Sequence, residues 1–305
     1  MSRSIALEDG PTSVRSLVPP GANPFVHRCF AVVICLAAAF VAWLGFFQPV
    51  RMDRSFTWAD LPPLHAGFVG ALYLFGAVLV GGSAIVRHRA QWGPAIGGIA
   101  IFTTSMLVLT SLNTEAFDWS LGAVKGWVIS YVVYPPIAWA LTVWLARAPI
   151  TSAGGVRIGR GTTIGLQVTA AAFAAAGVAL LVFRSAMADA WPWKVSHGVA
   201  QFYGGPFLAI AWVAAWYSRR SFRSDLAIFG PAMTALGAAV LVVSLDHRVL
   251  FDAARPATWL WFGGFGAVTA GYAWVTFGSL SAHVRGVGEL HPGADTELHE
   301  HRRHV

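Results

Sequence analysis

Long apolar runs alternate with short polar ones along nearly the whole chain. A helix needs about 20 predominantly apolar residues to cross the hydrocarbon core of a bilayer. Eight runs reach that length, at 28–47, 66–86, 94–113, 124–146, 162–183, 198–217, 226–245 and 257–280. No Asp, Glu, Lys or Arg lies in the interior of any of them. The pattern predicts an all-α integral membrane protein with eight transmembrane helices. The first run follows a polar, Pro-containing leader and is long for a cleaved signal peptide, so it is read as a retained span.

Composition agrees with the pattern. Hydrophobic residues make up 56% of the 305 and charged residues 11%, against roughly 25% charged in an average soluble domain. So few charges cannot cover the surface of a soluble fold, and so much apolar content excludes a disordered chain. The net charge of +7 would suggest nucleic acid as a partner in a soluble protein. Here the basic residues flank the apolar runs, so they read as topology signals and lipid contacts, and no nucleic-acid partner is expected. Lys125 and Lys194 are the only lysines among the 21 basic residues. This Arg preference, with abundant Ala and Gly, suggests a GC-rich bacterial source.

The connections after the second, fourth and sixth runs carry Arg87, Arg89, Arg147, Arg157, Arg160, Arg219, Arg220 and Arg223 against one acid, Asp225. The opposite connections hold nearly balanced charge and Trp58, Trp119, Trp191, Trp193 and Trp259. The Arg-rich side, joined by both termini, is expected to face the cytoplasm of a bacterial inner membrane. Trp at the other face is the usual headgroup anchor, with substrate stacking as the alternative for Trp58 and Trp193.

The two halves share landmarks at an offset of 132–135 residues. Trp58 aligns with Trp193, Gly70 with Gly205, Ser111 with Ser244, Phe117-Asp118 with Phe251-Asp252, and Trp127 with Trp261. The expected division is a cytoplasmic N-terminal segment 1–27, a first four-helix half 28–146 and a basic linker 147–161. A second half 162–280 and a His-containing tail 281–305 complete it. Two halves of four spans each insert in parallel, related by a pseudo-two-fold axis along the membrane normal.

Candidate chemistry is sparse. Tyr134-Pro135-Pro136 should kink or break the fourth span and free carbonyls near Val132 and Val133. Gly263-Gly264-Phe265-Gly266 is the matching weak point of the eighth. Interrupted helices at matching positions mark midplane binding sites, which makes Tyr131, Tyr134, Pro135, Pro136 and Gly266 candidates for substrate binding. His65, His197, Asp246 and His247 are the catalytic candidates, with Asp118 and Asp252 beside them, all at the face opposite the arginines. Cys29 and Cys35 lack a metal or redox spacing, no zinc, serine-hydrolase or P-loop motif is present, and neither a metal nor another cofactor is expected.

A span set without an ionisable residue at depth argues against a proton-coupled pump. The expected function is transport or permeation of a small neutral or lipid-like molecule. The alternatives are a membrane-embedded enzyme acting on a lipid or lipid-linked substrate at the outer face, and a non-catalytic scaffold or assembly factor. Expected partners are the bilayer, such a substrate, and another membrane protein or a second copy of the chain.

Overall fold

A computed structural model describes residues 24–55, 61–147, 155–219 and 221–288. Among these, the helices longer than a turn are α1 (Pro24–Phe47), α2 (Pro49–Ser55), α3 (Pro63–Ile85), α4 (Arg89–Leu112), α5 (Gly122–Ala146), α6 (Arg160–Val182), α7 (Arg184–Ala190), α8 (His197–Tyr217), α9 (Phe229–Asp246) and α10 (Pro256–Gly288). Short 3-10 turns at Thr114–Ala116, Arg223–Ala227 and Arg248–Leu250 complete the set. Among the described residues, seven helices are long and apolar enough to cross a membrane, the architecture of a multi-pass helical membrane protein. The eighth expected span is helical throughout as α10, but it is not among those seven. Its Gly, Thr, Tyr and Trp residues dilute its apolar content.

The long helices divide into a more buried and a less buried set. Half to nearly three-quarters of α3, α4, α8 and α9 is buried inside the protein, against a third or less of α1, α5 and α6. The outer helices turn rows of apolar side chains outward, such as Val32, Val33 and Leu36 on α1 and Ile129, Val132 and Val133 on α5. Packing inside a bilayer depends on close backbone approach rather than on hydrophobic segregation, and glycines provide it. A Cβ added to Gly45 of α1 would collide with the Ala66 carbonyl and lie 2.8 Å from the Gly70 Cα of α3. On the other side, a Cβ on Gly204 of α8 would lie 2.9 Å from the Gly177 carbonyl of α6.

Aromatic rings interlock between α3, α8 and the outer helices. Phe68 of α3 packs on Trp261 of α10 at 5.2 Å, and Phe202 of α8 approaches Trp127 of α5 at 6.1 Å. At the arginine-rich face, Gln91 donates to the Ser224 carbonyl at 2.7 Å while its own carbonyl accepts from the Tyr217 hydroxyl. Asp225 is buried there and accepts from the Phe222 amide at 2.8 Å. These bonds satisfy polar groups that would be expensive to bury alone.

Two expectations are corrected. Pro135 and Pro136 do not break their helix, because α5 runs unbroken from Gly122 to Ala146. Each proline removes one amide donor, which leaves the carbonyls four residues back, Tyr131 and Val132, without that bond. The packed neighbours still hold the segment helical, as they do at many membrane prolines. The glycine run 263–266 is likewise helical within α10.

Candidate functional site

A cavity of about 510 Å³ lies between α1, α3, α4 and α5, with Pro206, Ala209 and Val213 of α8 as its back wall. Small residues hollow it out. Ala37 and Ala38 line it from α1, Gly76 from α3, Gly98 from α4 and Gly126 from α5. Gly76 and Gly126 have open space where a Cβ would stand, whereas Gly98 lets α4 approach Val213. Ala37, Phe40, Ala123 and Gly126 both line the cavity and are exposed, so it opens sideways between α1 and α5. Arg51 of α2 and Phe117 also line it, on the side of the tryptophan-bearing loops. Toward the arginine-rich face α1 and α5 converge, with Phe30 edge-on to Tyr134 at 6.4 Å. An apolar cluster that includes Ala31, Val80, Ile96, Ile99, Ala138 and Leu141 closes that end.

The polar groups of this apolar chamber are few. Tyr73 and Tyr131 share a 2.8 Å hydroxyl–hydroxyl bond. Their rings are held edge-on by Phe102, at 5.8 and 5.9 Å. Trp127 packs on Tyr131 at 4.5 Å and donates its indole N–H to Thr110. The hydroxyls of Thr103 and Ser130 donate back to their own helices, to the Ile99 and Gly126 carbonyls. A smaller cavity of about 180 Å³ adjoins the first across Phe117 and Trp127, with Thr110, Asn113, Ser196 and Gln201 in its wall. Volumes of a few hundred cubic ångströms with an apolar lining and a few placed polar groups are the ordinary form of a small-molecule site.

The sequence-derived candidates scatter. Tyr131 and Tyr134 line the large cavity, whereas Pro135 and Pro136 do not. Gly266 sits on α10 with open space around it. Trp58 lies outside the described residues. Trp193 belongs instead to a buried ring cluster, with Phe68 at 5.7 Å and Trp261 at 4.8 Å. His65 is only 5% exposed and joins the same cluster. Its Nε2 lies 3.0 Å from the Lys194 carbonyl and its Nδ1 3.0 Å from the Tyr203 hydroxyl. A carbonyl only accepts, so Nε2 carries the proton and Nδ1 accepts from Tyr203. His65 is thereby bonded at both nitrogens.

His197 is exposed at the start of α8. His247 and Asp246 come together at 3.6 Å at the end of α9, but Asp246 is mostly exposed and the His247 Nδ1 lies 3.0 Å from the Val243 carbonyl. Asp118 accepts from the amide and hydroxyl of Ser120, which hold its carboxyl below the usual range. Asp252 accepts from the Ala254 amide in a similar turn. Both acids are spent on turn geometry. Among the described residues, no three His, Cys, Asp or Glu side chains are grouped to hold a metal.

Tyr73, Arg51, Gly76, Phe102 and Trp127 belong to the cavity and were not among the sequence-derived candidates. The available signal was the rarity of tyrosine, six in the chain, together with a glycine on an otherwise packed face of α3. Comparison with protein-family models, curated proteins and solved structures finds no match.

Proposed function

We propose that this chain takes a small neutral or lipid-like molecule from the bilayer and moves it between the leaflets or across the membrane. One observation carries the reading, an apolar cavity open between α1 and α5 and closed toward the arginine-rich face. A sideways opening fits a substrate that partitions into lipid, and one closed end fits one state of an alternating path. With the arginines inward, both termini lie in the cytoplasm of a bacterial inner membrane and the cavity opens toward the outer leaflet.

The path belongs to a protein of eight spans in two tandem halves. Trp127 donates to Thr110 and Trp261 to Ser244, each seventeen residues back. The 3-10 turns at Thr114–Ala116 and Arg248–Leu250, the Gly70 and Gly204 crossings, and the Phe68 and Phe202 contacts recur at the same shift of 134 residues. This register pairs Thr110 with Ser244 and Gly70 with Gly204, one residue from the pairing suggested by sequence landmarks. The enzyme alternative has less support, because His65 spends both nitrogens in packing and neither it nor His197, Asp246 or His247 lines a described cavity.

The test uses purified protein in liposomes that carry a nitrobenzoxadiazole-labelled phosphatidylcholine and are bleached from outside with dithionite. Protein-containing vesicles should lose the protected inner fraction at least several times faster than empty ones. Equal rates for this probe would reject lipid movement.

A further inference from the structure

We infer that the cavity selects a carbonyl-bearing apolar molecule, and that the Tyr73–Tyr131 pair is the element that reads the carbonyl. This deepens the proposed function and rests on the cavity being a binding site. Each phenol carries one O–H, which donates once. At 2.8 Å one hydroxyl donates to the other, so the bond consumes one of two protons. The second proton has no further acceptor among the described residues. Tyr131 is 6% exposed and both side chains line the cavity. A buried donor without an acceptor is costly, so this proton calls for an oxygen from whatever occupies the chamber.

The neighbouring groups narrow the class. Thr103 and Ser130 direct their protons into their own helices, which leaves them no donor for a ligand. Tyr134, one turn along α5, adds another hydroxyl to the lining, and no bond to it is found among the described residues. The wall at this depth therefore offers unspent O–H donors from its tyrosines. A ketone, ester or quinone oxygen matches it. A hydrocarbon leaves the donor unmet, and so does a molecule that brings only donors.

The second half provides an internal control. A shift of 134 residues takes Tyr73 to Phe207 and Tyr131 to Phe265. Phe207 packs on Phe173 at 5.0 Å and Phe265 on Trp261 at 4.6 Å. Where only packing is required, phenylalanine stands at both positions. The two hydroxyls occur where there is a cavity.

The test offers equal amounts of 2-tridecanone and tridecane to the full chain in phosphatidylcholine nanodiscs, with empty nanodiscs as reference, and reads the retained ratio. Wild type should enrich the ketone over the alkane by roughly three- to tenfold, the range of one hydrogen bond. Tyr73→Phe and Tyr131→Phe should each keep most of this preference, because removing one hydroxyl frees the proton of the other. The double variant should lose the preference while still retaining the alkane. Its folding is favoured by the Phe207–Phe265 precedent in the same chain. Equal enrichment of both probes by wild type would overturn the inference and leave the cavity as a binding site. Enrichment of neither would overturn the binding reading itself, and the inference with it. A preference that survives in the double variant and disappears in Tyr134→Phe would assign the selection to the wrong residues here.

Discussion

At the scale of single residues, a few polar side chains such as the buried His65 and Gln91 bond between elements, while others such as Thr103 and Ser130 bond back to their own helix. His65 is the clearest case of the first kind. A histidine at the start of a span, near other histidines, suggests catalysis when only the order of residues is known. Its burial between Trp193, Tyr203 and the Lys194 carbonyl points to cohesion between α3 and α8. His65→Phe should therefore lower stability by about 1–3 kcal/mol, because it leaves the Tyr203 hydroxyl and the Lys194 carbonyl without partners. The folded fraction should move the labelled lipid at the wild-type rate. A thermal melt in detergent, together with the dithionite assay, separates these effects. A well-folded variant that moves no lipid would return His65 to the functional site. The sequence could place His65 at a helix start, but it held no sign of the ring cluster. The partners come from residues 129 and 138 positions away, and pairing at that distance is set by the fold.

At the scale of helices, periodic apolar runs were readable with little ambiguity, because a bilayer demands length and excludes charge in the same segment. Ends shifted by a few residues, as with α3, which begins at Pro63 rather than 66. The break expected at the proline pair is absent for a physical reason. Proline removes a donor and a little space, but in a membrane no water competes for the freed carbonyl, and neighbours hold the helix together. The cost should still be measurable where packing does not compensate. Pro136 is exposed, so Pro136→Ala sacrifices little contact and restores an amide donor to the Val132 carbonyl. The variant should be more stable by about 1–3 kcal/mol, seen as a higher melting temperature in the same detergent. An unchanged or lower value would mean that the carbonyl is already satisfied or that the ring itself packs.

At the scale of the molecule, the cavity arises from unequal filling of two sides of the bundle. One is filled by Phe173, Phe207 and Trp191, and the other is left hollow by Gly76, Ala37 and Gly126. Composition alone could not reveal this, since glycine serves close packing at Gly45 and open space at Gly76. What separates the two is whether another helix stands opposite. This yields a prediction in which stability and function move apart. Gly76→Leu adds a side chain into space where nothing lies within contact distance of a Cβ. In mid-helix it replaces the residue with the greatest backbone freedom by a strong helix former, a gain of about 0.5–1 kcal/mol. The variant should melt no lower than wild type. If the chamber is the path, the same leucine should cut labelled-lipid movement and tridecane retention by at least several-fold. A stable Gly76→Leu protein that moves the lipid at full rate would show that the substrate travels elsewhere, along the outer faces of α5 and α6 or between separate copies of the chain. A destabilised variant would mean that α3 meets a neighbour at Gly76.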